Sequence, residues 1–198
     1  SYRLVGSEMC IRDRMKSDSE SRKNHIFFKR EIFETTKNVN LKIEHLKLNN
    51  SSIGRYGSID HNGSTMVIAK NEQEKIIVLN QYRFPVEEYI LEFPSGTIKN
   101  NEKPISTIRR ELIEETGYSS KSFKYFGEIF ESPSYSNERI HLFLANNIFK
   151  EANLLDKDDD EEIEVLFFSK EKIRDLIYSG VIKDSATIAF FFKVYDLI

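Results

Sequence analysis

The chain predicts an α/β (α+β) fold: a mixed β-sheet flanked by helices, with extra β-strands at its N-terminal end. Three observations predict it. The elements run strands, helix, strands, helix. Ile76-Ile77-Val78-Leu79 is an unbroken apolar run, the mark of a strand buried on both faces. And 198 residues with 39% apolar content and 15 Phe suffice for one core, or one core with an extension.

Taken in order, His25 to Thr36 is aromatic and β-branched and reads as a strand. Leu41 to Leu48 alternates apolar and polar, a half-buried strand. Asn49 to Ser52 is a turn cluster. Arg55 to Asp60 and Ser64 to Lys70 flank His61-Asn62-Gly63, whose Asn-Gly is a hairpin signal. Lys75 to Tyr82 is the buried strand, and Tyr89 to Phe93 is a short one leading to Pro94-Ser95-Gly96. Pro104 opens a helix that Gly117 stops in a left-handed conformation. Phe123 to Phe130 and Ile140 to Asn146 are strands around the loop Glu131 to Glu138. Asp156 to Glu162 is an acidic run, expected as a solvated loop. Ile163 to Phe168 is a strand, and Lys170 to Tyr178 a helix followed by Gly180. Ser185 is expected to cap a last helix through Asp196.

Residues 1–24 are expected to be a disordered tail, 25–70 an N-terminal β-strand region and 71–198 the main domain. Residues 1–14 resemble translated sequencing-adaptor sequence, so Met15 is the expected natural start. The net charge of −3 offers no basic field for nucleic acid. No apolar run approaches the roughly 20 residues that cross a bilayer. The single Cys10 permits neither an internal disulfide nor a Cys-based zinc cluster. A cytoplasmic location is the expectation.

The chemistry concentrates between Gly96 and Tyr118. Ile105, Ile108 and Leu112 form one apolar helix face. Glu111, Glu114 and Glu115, at i, i+3 and i+4, share the other side. Such like-charge pairs repel by roughly 0.2–0.5 kcal/mol each. They also crowd the negative end of the helix dipole. The arrangement is tolerable beside a cation, and hard oxygen donors suit Mg²⁺ or Mn²⁺ better than zinc. An isolated E-x-x-E-E would be no more than a solvated face. Here it is framed: Gly96, Glu102, Arg110-Glu111-Leu112, Glu114-Glu115 and Gly117-Tyr118 fall at fixed spacings. Every fixed position of the Nudix box is filled, and in this the chain resembles the Nudix hydrolases, whose fold is an α/β/α sandwich.

Four further features resemble the ADP-ribose and nucleoside-diphosphate-sugar pyrophosphatase branch. They are Gln81-Tyr82-Arg83-Phe84, Leu91-Glu92-Phe93-Pro94-Ser95-Gly96, Pro133, and Ser132-Pro133-Ser134-Tyr135-Ser136-Asn137-Glu138. The resemblance implies a Mg²⁺-dependent enzyme, with Mn²⁺ as an alternative ion, that splits ADP-ribose into AMP and ribose 5-phosphate. Another nucleotide sugar such as GDP-mannose is the alternative substrate, and a ligand-sensing module without hydrolysis the alternative class. It implies metal ligation by the Ser95 carbonyl, Glu111, Glu114 and Glu115, with Glu115 also counted as catalytic. Arg83 and Glu92 would bind substrate. Gly96 and Glu102 would support the loop against the helix, with Arg110 as the partner of Glu102 and part of the catalytic set. Glu138 would be general base or second-metal ligand. It also implies a homodimer acting on a small nucleoside diphosphate sugar, with no nucleic-acid or membrane partner. Ser134 stands where the branch carries Gly, so a need for positive φ there would shift the loop. The histidines His25, His45, His61 and His141 lack ligand spacing and read as structural.

Overall fold

The structure, a computed structural model, describes residues 26–36, 39–47, 53–152 and 163–198. The expected tail, the turn at 49–52 and the acidic run at 156–162 lie outside the described residues. The chain divides into two compact units, Ser1–Asp60 and His61–Ile198.

The first unit holds a three-stranded sheet of β1 (Ile26–Thr36), β2 (Val39–Lys47) and β3 (Ile53–His61), in that order. β1 and β2 are antiparallel, and Lys42 of β2 pairs with Asp60 of β3 at 3.0 Å. Ile32, Ile53 and Tyr56 are exposed on this sheet.

The second unit carries β4 (Ser64–Ala69), β5 (Ile76–Arg83), β6 (Glu88–Glu92), β7 (Ser95–Thr97), α1 (Pro104–Thr116), β8 (Tyr118–Ser119), β9 (Ser122–Phe130), β10 (Arg139–Asn146), β11 (Phe149–Lys150), β12 (Ile163–Phe168), α2 (Lys170–Tyr178) and α3 (Ser185–Lys193). One sheet runs β7-β4-β10-β9, another β12-β5-β6, and β8 pairs with β11. β4 and β10 are parallel; β10 with β9, β12 with β5, β4 with β7 and β5 with β6 are antiparallel. The first two sheets meet where Val67 N–H donates to Pro94 O at 2.9 Å and where Lys70 bridges Ile76.

The apolar runs explain the layering. A strand turns successive side chains to opposite faces. Met66, Ile68, Ile76, Val78, Leu142 and Leu144 pack with Ile173, Ile182, Phe190 and Phe191 of the α2–α3 layer. Their neighbours Val67, Ala69, Ile77, Leu79, Phe143 and Ala145 pack with Ile108 and Leu112 of α1. This is the expected α/β/α sandwich. A one-residue slip of β4 would exchange the two sets, so both cores fix its register.

Several expectations need correction. The Asn-Gly at 62–63 does not join β3 to β4 as a hairpin, since the two strands lie in different sheets. Gly63 does take a φ of +90°, but its carbonyl accepts Ile98 N–H at 3.0 Å, and Asn62 Nδ2 donates to Ile98 O and Asn100 Oδ1. The turn signal is real, and its hydrogen bonds serve the loop after β7. β4, placed by sequence with the N-terminal strands, lies inside the β7-β4-β10-β9 sheet. The cap of α3 is Asp184, whose carboxylate accepts Thr187 N–H at 2.8 Å, rather than Ser185. That helix ends at Lys193, and Tyr195–Leu197 form a 3₁₀ turn. Among the described residues no helix is long and apolar enough to cross a membrane.

Candidate active site

The site is built where β7 meets α1. Pro104 stands in the first turn of α1, and Gly117 at its end has φ 72° and donates to Ile113 O at 2.8 Å. Ile108 and Leu112 anchor the helix on the sheet. The strand before it is held as firmly: Phe93 N–H donates to Thr187 Oγ1 at 3.1 Å, and Ser95 and Gly96 pair with Met66 and Thr65.

Two contacts join these elements. A Cβ built on Gly96 would overlap the Glu111 carboxyl, so this glycine is required by close approach. Ser95 N–H donates to Glu115 Oε2 at 3.1 Å. Glu115 is the most buried of the three carboxylates; the side chains of Glu111 and Glu114 are 14% and 24% exposed. It lies on the flank turned to β7, beside Leu112 and Thr116.

Arg110 answers the repulsion among the carboxylates. Its Nε and Nη2 grip both oxygens of Glu102 at 3.1 and 3.0 Å, a bidentate fork. Its Nη1 lies 2.7 Å from Glu111 Oε1 and 2.6 Å from Glu114 Oε2. Lys99 N–H adds a hydrogen bond to Glu102 Oε2 at 3.2 Å. The Arg110 fork, first among the causes, draws Glu102 down to about 2. Burial pushes Glu111 up to about 7 against the pull of Arg110. Burial also works against the charge of Arg110, and its three acids more than offset that and raise it. Among the described residues no three acidic or imidazole groups form a ready-made metal cage. Arg110 and Ser95 N–H engage the carboxylates instead. The donor set nevertheless fits a hard cation: all oxygen, three carboxylates of one helix, and a glycine that leaves Glu111 room.

Arg83 and Glu92 form a separate pair at 2.7 Å, with Glu92 buried and Arg83 two-fifths exposed. Glu138 closes a loop held by Ser136 N–H on Ser132 O (2.8 Å) and Glu131 N–H on Glu138 O (3.2 Å). Ser134 is not among the residues with positive φ, so the loss of Gly there causes no strain. Glu138 Oε1 accepts Ser64 Oγ–H at 2.7 Å and lies 3.5 Å from His61 Nδ1. That nitrogen accepts Gly63 N–H at 3.1 Å, so it does not donate to the carboxylate.

The structure therefore brings Ser95, Gly96, Glu102, Arg110, Glu111, Glu114 and Glu115 into one cluster. Arg83 with Glu92, and Glu138 with Ser64, stand as two further groups. Ser64 pairs with Thr97, the neighbour of Gly96, which puts the Glu138 loop beside β7. Sequence reasoning did not single out Ser64, and it read His61 as structural. They lie 74 and 77 residues from Glu138 (138 − 64 and 138 − 61); the parallel β4/β10 register brings Ser64 to it, and His61 N–H donates to Asn137 Oδ1 at 2.8 Å.

The NUDIX domain matches residues 60–188. An ADP-ribose pyrophosphatase of Bacillus subtilis (strain 168) is 33% identical over 159 residues, 80% of this chain and 85% of that protein. A methanol dehydrogenase activator of Bacillus methanolicus is 32% identical over 150 residues, 76% of this chain and 81% of that protein. A GDP-mannose pyrophosphatase of Citrobacter koseri is 31% identical over 134 residues, 64% of this chain and 70% of that protein. The crystal structure of an ADP compounds hydrolase aligns with a TM-score of 0.77 at 19% identity, covering 87% of this chain and 93% of that one, a likeness of fold. With the domain matched over more than half its length, the chain belongs to the Nudix family, as a Nudix hydrolase of pyrophosphate bonds.

Proposed function

We propose that this chain hydrolyses ADP-ribose to AMP and ribose 5-phosphate with Mg²⁺, and that Mn²⁺ can replace it. The observation that carries the reading is the seating of Glu111 on Gly96 and Glu115 on Ser95 N–H, with Arg110 as counter-charge. The substrate comes from the similarity to the ADP-ribose pyrophosphatase, which extends over 85% of that protein.

The Ser95 carbonyl, Glu111, Glu114 and Glu115 would hold the ion. Bound there, a divalent cation neutralises diphosphate charge and acidifies a water. Arg110 and Glu102 keep the loop after β7 on the helix, so the ligating carboxylates stay in place. Arg83, fixed by Glu92, presents a permanent cation to the diphosphate. Glu138 takes the proton of the attacking water or supports a second ion, and Ser64 orients it.

GDP-mannose is the second reading, favoured by the 31% identity to GDP-mannose pyrophosphatases. We also propose a homodimer through the N-terminal sheet, whose exposed Ile32, Ile53 and Tyr56 suit a covered surface. The cytoplasmic location expected from the sequence belongs to the same proposal. A turnover screen of ADP-ribose, GDP-mannose, dinucleoside polyphosphates and nucleoside triphosphates with Mg²⁺ tests it. ADP-ribose should lead. A clear lead for GDP-mannose would install the second reading, and a lead for triphosphates would overturn both.

A further inference from the structure

The segment His61-Asn62-Gly63-Ser64, from the end of β3 to the start of β4, bonds to two loops at once. One is the loop after β7. Gly63 O accepts Ile98 N–H at 3.0 Å, and Asn62 Nδ2 donates to Ile98 O at 3.3 Å and to Asn100 Oδ1 at 3.2 Å. That loop carries Glu102, whose carboxylate takes the Arg110 fork. The other is the end of the loop 131–138. His61 N–H donates to Asn137 Oδ1 at 2.8 Å, and Ser64 Oγ–H to Glu138 Oε1 at 2.7 Å. Gly63 lies against both: a Cβ built on it would come within 3.1 Å of Arg139 O and 3.6 Å of Ile98 Cδ1. Its φ of +90° is a second reason for glycine there.

We propose that this segment is a positioning element of the hydrolytic site, fixing the Glu138 loop relative to the carboxylates of α1. The proposal rests on the reading of Glu138 as base or second-ion ligand and of Glu111, Glu114 and Glu115 as ligands of the ion. Hydrolysis needs both groups on one diphosphate, and a misplacement of about 1 Å costs about a hundredfold in rate. Ser64 is the positioning residue of Glu138. Its hydroxyl and the ring of His61 both meet Oε1, so one oxygen is seated and Oε2 is left to act. Asn62 is the positioning residue of the Glu102 loop. Through the Arg110 fork it steadies Glu111 and Glu114, which Arg110 also holds. Gly63 joins the two actions, because its backbone is packed on both loops.

Two double-mutant cycles test the proposal, with kcat read on whichever substrate leads the turnover screen. In the first, Ser64→Ala should lower kcat at least about fivefold and keep KM within about twofold, since a donor to a charged oxygen is lost. In a Glu138→Gln background the same change should cost less than about twofold, because the carboxylate it serves is gone. In the second, Mn²⁺ is titrated calorimetrically into the protein without substrate. Asn62→Ala, at an exposed position, should weaken Mn²⁺ binding at least about threefold, and less than about twofold in a Glu102→Gln background. Gly63→Ala should lower kcat and weaken Mn²⁺ together, and a folded variant that changes only one of them would overturn the coupling. Should it fail to fold, the two cycles decide. Equal losses with and without Glu138, or with and without Glu102, would overturn the proposal, as would wild-type values in either single variant. The underlying reading fails by a different sign: wild-type kcat in Glu138→Gln, or unchanged Mn²⁺ binding in Glu115→Gln, would remove it and the proposal with it.

Discussion

Glu115, 5% exposed, receives the backbone N–H of Ser95 at 3.1 Å. A buried carboxylate is costly unless donors reach it, and this N–H is one that does. It ties the helix to the turn at the point where Gly96 admits the Glu111 carboxyl. Helix and turn therefore act as one unit, and the predictions follow from disturbing it.

Gly96→Ala should damage both stability and turnover. The added methyl enters space held by Glu111 Cγ and its carboxyl. Overpacking of this kind costs about 1–3 kcal/mol, and the displaced carboxylate should lower kcat at least about tenfold. Thermal melts and steady-state kinetics check it. Wild-type kcat in a folded Gly96→Ala protein would show that Glu111 does not work from this seat.

Glu138→Gln should lower kcat with little change in KM, since proton removal or second-ion support is lost. The amide can still accept from Ser64, so the loop should keep its form. A change confined to KM would make Glu138 a binding residue.

Glu102 sets a pH dependence. Its folded pKa, about 2, lies below its ordinary 4.5, chiefly through Arg110. A depressed carboxylate contributes stability that is present above pH 4.5 and is lost as pH falls through the folded value near 2. Glu102→Gln should therefore be less stable than wild type at neutral pH, and the difference should shrink on acidification through this window. Chemical denaturation at pH 7, 4 and 3 measures it. A difference independent of pH would mean that the ionised Glu102–Arg110 pair is not what stabilises the loop.

The parts of the fold and site that were legible in the sequence were those with local causes. Pro104 and Gly117 bound a helix by their own backbone preferences. Ile76 to Leu79 announced a strand buried on both faces, and the two core clusters bear it out. The box residues were readable as a family resemblance, which also implied the Arg110–Glu102 pair. What escaped depends on tertiary partners. The Asn62-Gly63 signal gave a turn but could not reveal that Ile98 and Asn100 would claim its hydrogen bonds. The burial of Glu115 escaped because three carboxylates at helical spacing look alike until β7 covers one flank. Ser64 met Glu138 through a parallel pairing that no local pattern encodes. The two-residue β8 and β11 are too short to carry periodicity.

Assembly gives a further test. The full chain has a monomer mass of 23.2 kDa. Light scattering at micromolar concentration should return about twice that mass, because the exposed Ile32, Ile53 and Tyr56 of the N-terminal sheet call for a cover. A monomer with full turnover would exclude a dimer as a condition of activity.

The most direct measurement is ADP-ribose hydrolysis with saturating Mg²⁺, followed by product chromatography, for the wild type and for Glu115→Gln. The amide keeps the size and can still accept Ser95 N–H, so the fold should persist. It neither neutralises nor holds a divalent cation well, so turnover should fall by about a thousandfold or more. The wild type should yield AMP and ribose 5-phosphate in equal amounts. Near-equal rates for the two proteins, or no cleavage of ADP-ribose by the wild type, would contradict the assignment.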